Sequence, residues 1–160
     1  MEGILVPYIH GGGKIGVMVR AESPAGAIPE ILAAAKDCAL QVAAMNPPYL
    51  KREDVPAAVL DEEKKIILAQ MAEDPKMANK PEQVKEKIAA GKVGKYYGEN
   101  CLLEQAFVKE NKETVQSYVD GVAKAAGTTI AITAFVRFER GEGIEKKADN
   151  FAEEIASMIK

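Results

Sequence analysis

Apolar residues run from Ile4 to His10, stop at Gly11-Gly12-Gly13, and resume at Ile15, Val17 and Val19 in alternation with Gly16, Met18 and Arg20. Two strand-forming runs joined by glycines able to take positive φ predict a β-hairpin. From Ile28 the spacing changes to that of a helix, through Ile31, Leu32, Ala35, Cys38, Ala39 and Val42. It stops at Asn46-Pro47-Pro48, because proline cannot continue a helix. This pattern predicts one helix packed on the hairpin.

The middle of the chain is more charged. Asp54 ahead of Val55-Pro56 reads as an N-cap with proline in the first turn of a helix whose sparse apolar positions are Val59, Ile66, Ile67 and Met71, ending near Asp74-Pro75. A second helix is expected from Pro81 towards Tyr96-Tyr97, with Val84 and Ile88 on one face. Together they read as an antiparallel helical hairpin. So narrow an apolar seam buries little surface within two helices, which predicts self-association through Val59, Ile66, Ile67, Met71, Val84 and Ile88. The competing reading is a solvated pair folded back on its own domain.

Cys101-Leu-Leu is a short apolar anchor. After Phe107-Val108 a helix with Val115, Tyr118, Val119 and Val122 on one face is expected to end at Gly127. Ile130 to Glu139 then alternates as a strand with both faces fairly apolar, which predicts a strand paired into the sheet rather than at its edge. A closing helix carries Phe151, Ile155 and Met158. The order of two strands, helices, one strand and one helix predicts an α+β fold. Its small three-stranded antiparallel sheet is covered by helices on one side, and an antiparallel helical hairpin protrudes from it.

Composition narrows the chemistry. A chain of 160 residues, 48% hydrophobic, is about one ordinary domain and can bury a core without disulfides or metal. The formal charge of -3 comes from 21 basic and 24 acidic residues, so no single-sign field points to direct nucleic-acid or membrane binding. Cys38 and Cys101 lack metal-ligand spacing and the density of a secreted scaffold, favouring free thiols in a reducing compartment. With no basic-then-apolar start and no long apolar window, the expected location is the cytoplasm.

The motifs that suggest enzymes fail on inspection. His10-Gly11-Gly12-Gly13 resembles an oxyanion-hole string, but no serine lies in a Gly-x-Ser-x-Gly elbow and His10 is the only histidine. At Gly13-Lys14 a phosphate loop would need Ser or Thr where Ile15 stands. Gly141-Glu-Gly143 has Lys146 in place of a third glycine, and Glu142 and Glu145 would repel a pyrophosphate. One histidine and two distant cysteines give no converging metal ligands. We therefore expect no catalytic residue, cofactor or metal. By the residues alone, His10 is either an ordinary turn residue or a contact beside a loop that a partner's backbone can approach.

A set of ordered strings decides between these readings: Tyr8-Ile-His10, Lys14-Ile-Gly-Val17, Ala43-Ala-Met-Asn-Pro47, Arg52-Glu-Asp-Val-Pro56, Leu102-Leu-Glu-Gln105, Phe107-Val108, and Arg137-Phe138 through Gly141-Glu-Gly-Ile-Glu-Lys146. By these strings, which span nearly the whole chain, the sequence resembles the bacterial-type elongation factor Ts family. That resemblance implies a guanine nucleotide exchange factor for elongation factor Tu, not an enzyme of covalent chemistry, that promotes GDP release by binding factor Tu.

It further implies that the chain corresponds to the second core subdomain and a helical dimerisation insertion. The expected division is 1–50 and 126–145 as the core subdomain, 51–125 as the insertion, and 146–160 as the terminal helix. The family's Thr-Asp-Phe-Val wedge is absent, since Val17-Met-Val-Arg20 continues as Ala21-Glu-Ser-Pro-Ala-Gly26. The resemblance assigns the contact with the third domain of factor Tu to His10, Gly11, Gly12, Gly13, Val108 and Lys109. Homodimerisation goes to the helical insertion. Ala106 departs from the family, where proline is frequent. The alternative is a structural dimerisation module with no independent binding to factor Tu.

Overall fold

The computed structural model describes residues 3–143. Strand β1 (Ile4–His10) pairs antiparallel with β2 (Ile15–Glu22), and β2 pairs antiparallel with β3 (Ala131–Glu139), giving the sheet order β1-β2-β3. The register sets Val6 opposite Val19 and Tyr8 opposite Val17, which places the inward residues of both strands on one face. A register shift at Arg20/Ala21 keeps Ala21 and Ile132 buried on that face as the strand ends.

Helix α1 (Pro29–Met45) covers this face. It starts with proline in its first turn and ends at Asn46, whose φ of 46° is the left-handed conformation that stops a helix. Its fully buried residues Ile31, Ala35, Cys38, Ala39 and Val42 meet Val17, Val19 and Ala21 of the sheet in one cluster. Small residues on α1 let the helix lie close to the β-branched sheet surface. Helix α5 (Val115–Ala125) joins the same cluster through Val115, Val119 and Ala123, as do Leu102 and Phe107. The expected stop at Gly127 is present. Gly127 has a φ of 64°, its N–H donates to Lys124 C=O (3.2 Å), and Thr128 N–H donates to Ala123 C=O (3.0 Å), a pairing that satisfies the last carbonyls.

Helix α2 (Ala57–Glu73), the short α3 (Pro75–Ala78) and α4 (Glu82–Asn100) form the helical hairpin. Its apolar cluster of Ile67, Met71, Ala89 and Val93, flanked by Leu60, Met77, Ile88 and Tyr97, is separate from the core cluster. The segments entering and leaving the hairpin lie side by side: Leu102 N–H donates to Tyr49 C=O (2.9 Å) and Leu103 N–H to Leu50 C=O (3.1 Å). Arg52 clamps this base through two bonds to Glu104 (2.8 and 2.6 Å) and lies 5.0 Å from the Tyr97 ring centre. Residues beyond Cys101 return to the core.

Two local expectations are corrected. Asp54 does not cap α2. It closes a 3-10 turn, Arg52–Asp54, by accepting from Lys51 N–H, and Pro56 takes the N-cap position. Proline's fixed φ suits the residue that precedes the first helical turn. β3 is an edge strand of this sheet, with β2 at the centre. Its second apolar face reflects the whole outer face of the sheet, where Leu5, Ile9, Met18, Val136 and Phe138 are all exposed. Two-sided apolarity along a strand therefore does not by itself place it at the centre of a sheet. The expected helix over 146–160 lies outside the described residues.

Candidate protein-binding interface

The β1–β2 connection is built from three consecutive glycines, with φ of 60°, 64° and 87° at Gly11, Gly12 and Gly13. Side-chain-bearing residues are strained in that region, so the tight turn depends on glycine. Apart from the adjoining residues, no atom of the described residues lies within 4 Å of where a Cβ would sit on Gly12 or Gly13, which leaves this backbone open to close approach. His10 precedes the turn and is exposed. Its Nδ1 shares a 3.2 Å hydrogen bond with the Tyr8 hydroxyl, the imidazole tautomer deciding which group donates. Arg140 N–H donates to Lys14 C=O (2.8 Å), so the chain leaving β3 sits beside the glycine turn at the same end of the sheet.

Val108 and Lys109 lie in the loop between Gln105 and α5. Their positions are set by two residues one turn apart on α1. Gln41 is fully buried, and both ends of its amide are satisfied. Its Oε1 accepts from Val108 N–H (2.9 Å), while its Nε2 donates to Ala106 C=O (3.1 Å) and to Gln105 Oε1 (3.1 Å). Gln105, equally buried, donates onward to Glu99 C=O (2.9 Å). A buried amide with every group paired is rigid, since breaking any one bond leaves a desolvated polar atom. The loop is therefore pinned while Val108 stays 42% exposed.

Asp37 holds the next residue. One carboxylate oxygen pairs with Lys109 Nζ and the other accepts from the Tyr118 hydroxyl (2.8 Å). The Tyr118 ring stacks on Phe107, with centroids 4.2 Å apart and an interplanar angle of 19°. Burial first, and then the bond to Asp37, push the Tyr118 phenol above its ordinary value, so it stays a donor at neutral pH. Burial likewise raises both thiols, Cys38 to about 12 and Cys101 to about 11, which leaves them protonated and unreactive.

The assigned contact residues thus form two groups. His10 and the three glycines meet at one end of the sheet, Val108 and Lys109 sit against α1, and no hydrogen bond among the described residues links the groups. Among the residues assigned to self-association, Ile67 and Met71 are buried inside the hairpin, and Val59 and Ile88 are half-buried. Ile66 and Val84 point outward, together with Leu68. Among the described residues, no group of His, Cys, Asp or Glu is placed to hold a metal, and no helix is long and apolar enough to cross a membrane.

Residues 1–142 match the family model described as Elongation factor TS. The chain belongs to the elongation factor Ts family. It is 47% identical over 159 residues to the elongation factor Ts of Clostridium kluyveri, and 43% identical over 159 residues to that of Syntrophotalea carbinolica. Against the elongation factor Ts of Clostridium botulinum strain Alaska E43 it is 44% identical over 162 residues. Each alignment covers 99% of this chain and 50 or 51% of the relative. The chain therefore spans about half the length of the curated elongation factor Ts relatives it matches.

Gln41, Gln105, Asp37 and Tyr118 hold the loop that carries Val108 and Lys109, and none of the four is among the residues expected as contacts. Gln41 does leave a trace in the sequence. It falls between Cys38 and Val42 on the apolar stripe of α1, and a polar residue on a core face needs a buried partner. Which partner it finds depends on the chain folding back 64 residues later.

Proposed function

We propose that this chain is the anchoring part of a translation elongation factor that exchanges guanine nucleotide on elongation factor Tu, acting in the cytoplasm without covalent catalysis. The observation that carries this reading is the family match across residues 1–142. The geometry fits a docking role: an open glycine turn beside an exposed His10, and a pinned loop that presents Val108 and Lys109. Pre-set contact residues bind with less ordering cost than a mobile loop.

On this reading His10, Gly11, Gly12, Gly13, Val108 and Lys109 meet the third domain of factor Tu. GDP release follows from differential affinity, because a protein that binds the nucleotide-free conformation better shifts factor Tu towards it. The division into 1–50 with 126–145, 51–125 and 146–160 belongs to the same proposal. Within 51–125, the hairpin alone closes on a cluster of its own. Pulling factor Tu down on the immobilised chain tests the docking. His10→Ala is expected to reduce the retained factor Tu several-fold, and full retention would remove that side chain from the interface.

A second reading, a dimerisation module that does not bind factor Tu independently, draws on the outward-facing Ile66, Leu68 and Val84 of the hairpin. Apolar side chains on an otherwise charged helical surface favour a partner helix. Light scattering across protein concentration would show a mass that doubles with concentration if the hairpins pair. A constant monomer mass would exclude it.

A further inference from the structure

We infer that Asp37 is a positioning residue for the proposed factor Tu contact, acting through Lys109 rather than by touching the partner. The inference rests on the reading that Val108 and Lys109 meet factor Tu. Lys109 is half-exposed, on a flexible four-carbon stem that would sample many rotamers in free solution. Asp37 removes that freedom by pairing with its ammonium, which keeps donors free for a second acceptor.

The carboxylate is itself held. Its other oxygen takes the Tyr118 hydroxyl, Tyr118 stacks on Phe107, and Phe107 N–H donates to Glu113 C=O (2.9 Å). Phe107 is the residue immediately before the contact pair. One turn along α1, Gln41 fixes the backbone of Val108, so a single helix sets both the path of the loop and the direction of its charged side chain. An exposed ion pair contributes little to stability, yet a fixed geometry still lowers the ordering cost of binding.

A double-mutant cycle tests this by calorimetric titration of the full chain against nucleotide-free factor Tu. Asp37→Asn keeps an acceptor for Tyr118 and loses the charge that holds Lys109. We expect Asp37→Asn and Lys109→Met each to weaken binding about 3- to 10-fold, and the double variant to bind no more weakly than Lys109→Met alone. A purely structural role would give additive losses with a lowered melting temperature, and that pattern would overturn the inference. So would unchanged or tighter binding by Asp37→Asn while Lys109→Met weakens it, an outcome that leaves the contact reading standing. If Lys109→Met and Val108→Asp both bind like the parent, the contact reading itself fails and the inference falls with it.

Discussion

At the residue scale, the polar side chains that matter most are those the core has desolvated. Gln41 and Gln105 are as buried as the valines around them, and their amides are tolerable only because each finds partners across the fold. Cys38, next to Asp37, shows the same desolvation in its ionisation. Its thiol is raised from an ordinary 9.0 to about 12 by burial and then by the Asp37 charge. The folded state therefore keeps a proton that the unfolded chain releases above pH 9.0, so stability falls as pH rises between these two values. The slope for one such group approaches about 1.4 kcal/mol per pH unit. Melting temperatures taken between about pH 9 and about pH 10.5 should fall less steeply for Cys38→Ala than for the parent. Cys101 and Tyr118 shift in the same direction and sustain the remaining slope. Equal slopes in parent and variant would mean that Cys38 is not the titrating group.

At the element scale, the helical hairpin and the sheet stand on separate apolar clusters, and the hairpin's is much the smaller. Ile67, Met71, Ala89 and Val93 form its seam, and two of these are residues the sequence pattern assigned to self-association. Helical periodicity identifies which residues share an apolar stripe. It does not say whether the stripe faces the neighbouring helix or another molecule. Ile66 beside Ile67 illustrates the point, since one is exposed and the other buried. Met71→Ala should cost about 2 kcal/mol. Because the hairpin has its own cluster, that loss should appear as faster amide exchange over residues 57–97, with β2 and β3 unchanged. Faster exchange throughout would show that hairpin and sheet unfold as one unit.

At the scale of the whole molecule, one sheet face lies under α1 and the other carries exposed Leu5, Ile9, Met18, Val136 and Phe138. This explains why β3 looked like an interior strand. The proposed function also divides at this scale. The residues proposed to dock are present, while no Thr-Asp-Phe-Val string occurs in the 160 residues. Labelled GDP release from factor Tu should therefore be accelerated far less by this chain than by a full-length elongation factor Ts. Equal rates would show that the wedge is dispensable.

Among the described residues, the hydrophobic pattern by itself determined the three strands, the four longer helices and their order, because periods of 2 and 3.6 are local properties and glycine or proline marks most of the ends. The family is legible in the sequence for a different reason, through short residue strings that keep their order along the chain. Only the tertiary structure decided which strand is central, which hairpin residues are consumed in their own seam, and that Asp37 and Gln41 govern the loop at Val108 and Lys109. Those outcomes depend on residues more than 60 positions apart meeting in a dry interior, where a polar group's partner is set by how the elements pack and not by its neighbours in sequence.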